Sequence, residues 1–347
     1  MTPHRFFACS LAIFFCSPIQ ASAYEGSFKP AWWCRSRHFQ TICGGLFRPK
    51  PDVPVTHERL NTPDGDFVDV DWLEGAPGSP YVVILHGFGS TTQAAYVVTL
   101  LDETRKAGWR AVAVNARGAI ELNRLIELND AGDTRDLDWL VRQLIQTKKA
   151  ERIYLVGFSV GGNRVLKWLG EKGAAIPDEV KQAVAVSAPY DLAKTARNLD
   201  KGFNKRVYTR SLLKTLRAQA LAKDRQFPGV IDKEKVLKAK TFNVYDREVS
   251  APLNGYADER EYWAKSSSMN YLQTIHVPTL LIHAANDPFL PKEDLPIAAI
   301  EKSEYLKLLL TPDGGHLGFV SGKIPFKQDR WLERQILDFF RRPSAAQ

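Results

Sequence analysis

Methionine and cysteine are scarce in this chain, with two Met and four Cys in 347 residues. The cysteines form no C-x-x-C pair, and there is no H-E-x-x-H or other spaced His/Cys cluster. Neither a common zinc site nor a thioredoxin-like redox site is therefore expected. A phosphate loop of the form G-x-x-x-x-G-K-[ST] is missing too, and Gly87-Phe88-Gly89-Ser90 lacks the third glycine of a dinucleotide fingerprint. The expected cofactor set is empty. No apolar run reaches the roughly 18 residues that a membrane-spanning helix requires. The composition is 44% hydrophobic and 25% charged, which is enough apolar material for a sizeable core.

The missing methionines also bear on the N-terminus. Met1 is followed by His4 and Arg5, an apolar stretch over 6–16, Pro18, and then Ala21-Ser22-Ala23. That is the layout of a secretory signal with an A-x-A cleavage site, its apolar part too short for a membrane helix. The next methionine is Met269, so a later start would need a non-ATG codon. Residues 1–23 are expected to be a signal peptide and 24–347 the remaining domain. The expected location is periplasmic or secreted, with the cytoplasm as the alternative if the start is mis-assigned. Cleavage would leave Cys34 and Cys43, either as one small disulfide or as two half-buried thiols.

Short β-branched or apolar runs occur at 67–72, 81–85, 110–114, 153–156, 182–186, 279–283 and 305–310. Helical patterns alternate with them at 92–107, 134–146, 161–170, 295–302 and 328–340. This alternation predicts an α/β fold with a doubly wound, mostly parallel sheet. It breaks once, over about 190–275, which reads as a helical cap insertion above the sheet. Charge concentrates there: from Asp191 to Lys240, fourteen Lys and Arg stand against five Asp and Glu. Two readings remain open, attraction to anionic substrates or an anionic membrane surface, and a solvated face that keeps the cap soluble. Nucleic acid is not an expected partner, because the segment carries no recognition motif.

The sharpest local signal is Gly157-Phe158-Ser159-Val160-Gly161, placed between an apolar strand and a helical pattern. A serine in that setting sits on a strained strand-to-helix turn at the carboxyl end of the sheet. The following helix aims its N–H groups at a developing oxyanion. A serine hydroxyl needs a base, and in this arrangement the partners follow in the order Ser, acid, His. Asp287 lies in the loop after the 279–283 strand, and His316 lies in the Gly314-Gly315-His316 loop after the 305–310 strand. Asp313 is the second choice for the acid. His283 reads as a core histidine, and His38, His57 and His276 have no acid at matching topology. The backbone N–H groups of Phe88 and Val160 are the expected oxyanion donors, with His86 bracing the loop that carries Phe88.

These motifs resemble the YheT-like branch of the α/β-hydrolases, the group that includes abhydrolase-domain proteins one and three. The likeness runs through Phe28-Lys-Pro-Ala-Trp-Trp and His38-Phe-Gln-Thr-Ile to His86-Gly-Phe-Gly-Ser and Asn115-Ala-Arg-Gly118. It continues in Gly157-Phe-Ser-Val-Gly-Gly-Asn163, Tyr245-Asp246, Ala251-Pro-Leu-Asn-Gly-Tyr256 and Asp287-Pro-Phe. The resemblance implies a Ser–Asp–His esterase acting on small ester or lipid-type acyl substrates, with Ser159, Asp287 and His316 in the family's triad positions. Ala116 departs from the pattern, where an aromatic is common. Some relatives are acyltransferases; those with an acid five residues after the histidine differ from this chain, which has Ser321 there. A non-catalytic binding protein on the same fold is the third expectation. The N-terminal reading is checked by the intact mass of the protein purified from its native host. Loss of residues 1–23 is the expected result, and a retained Met1 contradicts it.

Overall fold

The computed structural model describes residues 27–342 except 47, 129 and 326, so the expected signal peptide lies outside the described residues. Eight strands form one sheet in the order β1-β2-β4-β3-β5-β6-β7-β8. In chain order they are β1 (Thr56–Asn61), β2 (Phe67–Leu73), β3 (Tyr81–Leu85) and β4 (Arg110–Asn115), then β5 (Ile153–Phe158), β6 (Val180–Val186), β7 (Thr279–Ala284) and β8 (Leu306–Thr311). From β4 to β8 every neighbouring pair is parallel, and β2 alone runs antiparallel to both its partners. The doubly wound, mostly parallel sheet read from the sequence is therefore what the chain builds.

The interior strands are continuous apolar runs because helices cover both faces. Successive side chains point to opposite faces. Val83, Leu85 and Leu155 pack on one side against Leu140, Val165 and Trp168 of α3 (Arg135–Gln146) and α4 (Val160–Lys172). Val82, Ile84 and Val156 pack on the other side against α2 (Ala95–Lys106) and, at the carboxyl end of the chain, against Ile336 and Phe340. A helix at the amino end, α1 (Arg37–Leu46), had no counterpart among the expected elements. The exposed edge strand β1, Thr-His-Glu-Arg-Leu-Asn, was also missed. With no face to bury it has no hydrophobic alternation to read, and beyond the backbone ladder it is tied to β2 by polar pairs such as Arg59–Asp69 and Glu58–Trp72. The helix expected over 295–302 shortens to Ile297–Glu301, entered only after Pro296.

Between β6 and β7 the chain climbs through α5 (Leu192–Leu199), α6 (Arg210–Gln226), α7 (Glu259–Ser266) and shorter turns. Asp191 and Asp258 cap α5 and α7 by accepting from backbone N–H groups of their first turns. This segment has its own apolar cluster, in which Leu199, Leu213, Leu216, Phe242 and Tyr245 are buried together. The final helix of the chain, α8 (Trp331–Arg341), closes the sheet's second face. Cys34 and Cys43 are both free and buried. Burial first, then the neighbouring Cys43 thiol, pushes the Cys34 thiol up to about 12.

Close approach of α4 to the segment before β7 depends on a glycine. A β-carbon at Gly170 would lie 2.1 Å from the Tyr271 carbonyl oxygen. Alanine favours a helix over glycine by about 0.5–1 kcal/mol. A backbone clash costs about 1–3 kcal/mol, so the clash wins. Gly170→Ala should lower unfolding stability by roughly 1–2 kcal/mol net. Urea denaturation checks this, and an unchanged or raised midpoint would contradict the packing argument.

Candidate active site

Ser159 follows β5 directly and precedes the first residue of α4, with φ 52° and ψ −121°. That region is costly for a residue with a β-carbon, so the neighbours must hold it. Ser159 N–H donates to the Val186 carbonyl at 2.9 Å, and its own carbonyl accepts from Asn163 N–H at 3.1 Å. Side chains are barred on either side. A β-carbon at Gly157 would lie 2.3 Å from the Gly161 carbonyl oxygen, and one at Gly161 would lie 2.4 Å from the Leu85 carbonyl oxygen.

Three parallel strands deliver the polar groups. His316 Nε2 lies 3.0 Å from Ser159 Oγ, and His316 Nδ1 lies 2.9 Å from Asp287 Oδ2. The other oxygen, Asp287 Oδ1, accepts from the Phe289 and Leu290 N–H groups at 2.8 and 3.2 Å. Burial works against ionisation of Asp287, yet the charge and hydrogen bond of His316, with His283 and the Phe289 N–H, outweigh it. The carboxyl is held below its usual range. An ionised Asp287 only accepts, so Nδ1 donates to it and Nε2 presents its lone pair to the serine. The sequence-derived Ser159, Asp287 and His316 thus lie in one chain of hydrogen bonds.

Asp313, the second choice, is turned away from the imidazole. It accepts from Asn286 Nδ2 at 2.8 Å, while Asn286 Oδ1 accepts from Gly315 N–H at 3.0 Å. It braces the histidine loop. His283 is buried in β7 and donates from Nε2 to the Leu290 carbonyl at 2.9 Å, with Nδ1 unpartnered among the described residues. His57 sits on the edge strand against Asp71, and His38 meets the Tyr208 hydroxyl, both away from Ser159.

Phe88 and Val160 both line the cavity beside Ser159. The Val160 N–H is the first of its helix and has no intrahelical acceptor. The Phe88 N–H has no protein acceptor among the described residues. His86 holds the loop between them: Nδ1 lies 2.7 Å from the Gly87 carbonyl, and Nε2 accepts from Ala116 N–H at 3.1 Å. Those two contacts need the neutral ring protonated at Nδ1. Burial above all, with a smaller push from Arg164 against the Gly87 contact, brings His86 down to about 4.

Two positioning residues were given no role from the sequence. The Tyr96 hydroxyl accepts from Gly87 N–H at 3.0 Å, and Thr41 Oγ1 on α1 accepts from His316 N–H at 2.9 Å. Both depend on contacts far apart in the chain; Tyr96 lies in no quoted motif, and Thr41 lies in His38-Phe-Gln-Thr-Ile without its partner being readable there. The cavity itself is about 280 Å³, walled by Leu192, Leu199, Leu212, Phe242, Trp263 and Phe289. Asp246 is the one acid among its described lining residues. Burial, reinforced by Asp200 and Glu259, pushes it up to about 7 against the hydrogen bonds from Ser250 and Trp263.

Residues 80–323 match the family model for the alpha/beta hydrolase fold. The chain belongs to the α/β-hydrolase family. It is 35% identical over 325 residues to the Escherichia coli (strain K12) protein named "Putative esterase YheT", covering 91% of this chain and 93% of that one. It is 27% identical over 335 residues to human "Monoacylglycerol lipase ABHD2", covering 89% of this chain and 78% of the relative. These matches place it in the YheT-like branch of the α/β-hydrolases. Among solved structures, the Pyrococcus furiosus esterase Pf2001 superposes with a TM-score of 0.51 at 21% identity, covering 76% of this chain and 84% of that one, a likeness of fold.

The neutral His86 gives a pH signature. Unfolded histidine titrates near 6.5, while His86 binds its proton only near 4 when folded. Between these values the unfolded chain holds more protons, so stability falls as pH drops through that window. The loss is on the order of 3 kcal/mol. Urea unfolding of wild type and His86→Gln at neutral and mildly acidic pH checks this. The variant should lose much of that slope, and equal slopes would show that His86 does not titrate as described.

Proposed function

We propose that this YheT-like α/β-hydrolase cleaves carboxylic esters with small or lipid-type acyl groups through Ser159, His316 and Asp287. The observation that carries the reading is the continuous relay from Asp287 to His316 to a serine held at positive φ. Relatives named as esterase, phospholipase and monoacylglycerol lipase support the ester bond as the target.

In the first step His316 Nε2 takes the Ser159 proton as Oγ attacks the carbonyl carbon. The negative charge that develops on the carbonyl oxygen is met by the N–H groups of Phe88 and Val160. Asp287 stays ionised and stabilises the imidazolium. His316 then gives its proton to the leaving alkoxide oxygen, which departs as an alcohol and leaves the acyl group on Ser159. Water, deprotonated by the same imidazole, releases the acid and restores the serine. The acyl chain occupies the apolar cavity, where Asp246 adds little charge because burial keeps much of it protonated near neutral pH.

A fluorophosphonate probe should label the wild type at Ser159 and leave folded Ser159→Ala unlabelled. Ser159→Ala or His316→Ala should reduce ester turnover on the order of 10⁴-fold. Along a series of nitrophenyl esters, kcat/KM should rise about fourfold per methylene until the cavity fills, the factor expected from about 0.8 kcal/mol per buried CH₂. Equal labelling of both proteins, or turnover that survives loss of Ser159, would overturn the assignment.

A further inference from the structure

The cavity is lined by two acid-free segments. Thr41, Gly44 and Gly45 of α1 line it on one side, and Leu212 of the cap lines it on the other. Both flanks come from stretches without a single acid. Residues 26–51 carry five Lys and Arg and no Asp or Glu, and residues 201–223 carry seven and none. The two stretches touch: the His38 ring packs 4.1 Å from Phe203, and His38 Nδ1 lies 3.1 Å from the Tyr208 hydroxyl. From Tyr208 the ring contacts run through Phe289 to His316. This basic surface therefore borders the reactive serine's own cavity.

Two features bear on what this face could meet. Arg35, Arg37, Lys201, Arg206 and Arg210 are exposed and form no ion pair among the described residues. Other basic residues of the surface are paired, Arg59, Arg105 and Arg135 among them. Large apolar side chains also stand out among these charges. Phe39 is 52% exposed, Leu46 72% and Phe203 48%, with Val207 beside them in sequence. Single exposed apolar residues are common, but here four sit on the two segments that line the cavity. Unpaired cations with protruding apolar groups suit the interface of a negatively charged bilayer. Lys and Arg meet headgroup phosphates there, while Phe and Leu enter the acyl boundary.

We propose that this face, made by α1 and the 201–214 arm of the cap, docks on an anionic lipid surface and turns the cavity mouth towards it. The inference rests on the acyl-ester reading for its purpose, since an ester drawn from the bilayer would enter an apolar cavity with little exposure to water. Docking itself needs no catalysis.

The test is flotation of the full chain with phosphatidylcholine vesicles and with vesicles that also contain phosphatidylglycerol, at low and high salt. Wild type should float with the anionic vesicles at low salt, and high salt should release it. Lys201→Gln and Arg206→Gln should each weaken vesicle binding about fivefold. Phe203→Ser should weaken it without altering the salt dependence. Lys302→Gln, near the amino end of β8 and so at the opposite rim of the sheet, should bind as wild type. Hydrolysis of a soluble short-chain ester should change less than about twofold in all four variants. Failure to float with anionic vesicles overturns the proposal, as does equal weakening by Lys302→Gln, which would mean undirected charge attraction. Floating without any soluble-ester turnover would overturn the catalytic reading and leave the docking face standing; turnover without floating would do the reverse.

Discussion

Everything about this site depends on holding one serine at φ 52°. An L-residue there costs about 1–3 kcal/mol, and a turn that expensive survives only where the surroundings permit nothing else. Here β5 and α4 meet with no room for side chains at Gly157 and Gly161. The hydrogen bond from Ser159 N–H to Val186 ties the turn to the neighbouring strand, and the Asn163 N–H draws the serine's carbonyl into the first turn of α4. The strain is local, and its compensation is spread over two strands and a helix.

The sheet order explains why the remaining groups arrive at that point. β4 and β5 lie on opposite sides of β3, so the chain reverses direction across the sheet there and opens a crevice at the strands' carboxyl ends. The loop after β3 brings Phe88, the turn after β5 brings Ser159 and Val160, and the loops after β7 and β8 bring Asp287 and His316. Because β3 to β8 run parallel, all four loops emerge at one rim. An antiparallel strand among β5 to β8 would send its loop to the opposite edge. The reversed strand, β2, sits outside this group and supplies no group to the relay.

Much of this was legible in the sequence, because the relevant signals are local. A strand, a Gly-x-Ser-x-Gly turn and a helix are contiguous, and the acid and histidine each follow an apolar run. Two elements escaped: β1 buries no face, and α1 carries the His38-Phe-Gln-Thr-Ile motif but takes its role from what it touches. Several motif residues turned out to be scaffold. Asn115 accepts from Thr92 N–H at 3.0 Å, and Arg117 binds Asp136 and Asp64. Asn163 reaches the Ala131 and Ser266 carbonyls and accepts from Ser268 N–H, joining the elbow helix to the base of the cap. A motif marks where such residues stand but not whether they hold or react; distances decide that.

The histidine loop is the least self-sufficient part of the site, and this gives the amino-terminal arm its physical importance. Gly314, Gly315, Leu317 and Phe319 all have positive φ, at 148°, 59°, 59° and 41°, and at Leu317 and Phe319 the β-carbon makes that conformation costly. The loop's own contacts are few. It is held from outside, by Asn286 on the acid's loop and by α1. Thr41 takes the His316 N–H, and Gln40 accepts from Val320 N–H at 2.6 Å while donating to the Val320 carbonyl at 3.1 Å. A β-carbon at Gly315 would strike the Arg37 carbonyl at 2.6 Å, and one at Gly318 the Gln40 carbonyl at 2.2 Å. Residues before position 80 lie outside the matched family model, yet they set where the imidazole stands. The same helix lines the cavity through Gly44 and Gly45, so the element that fixes the base also shapes the space in front of it.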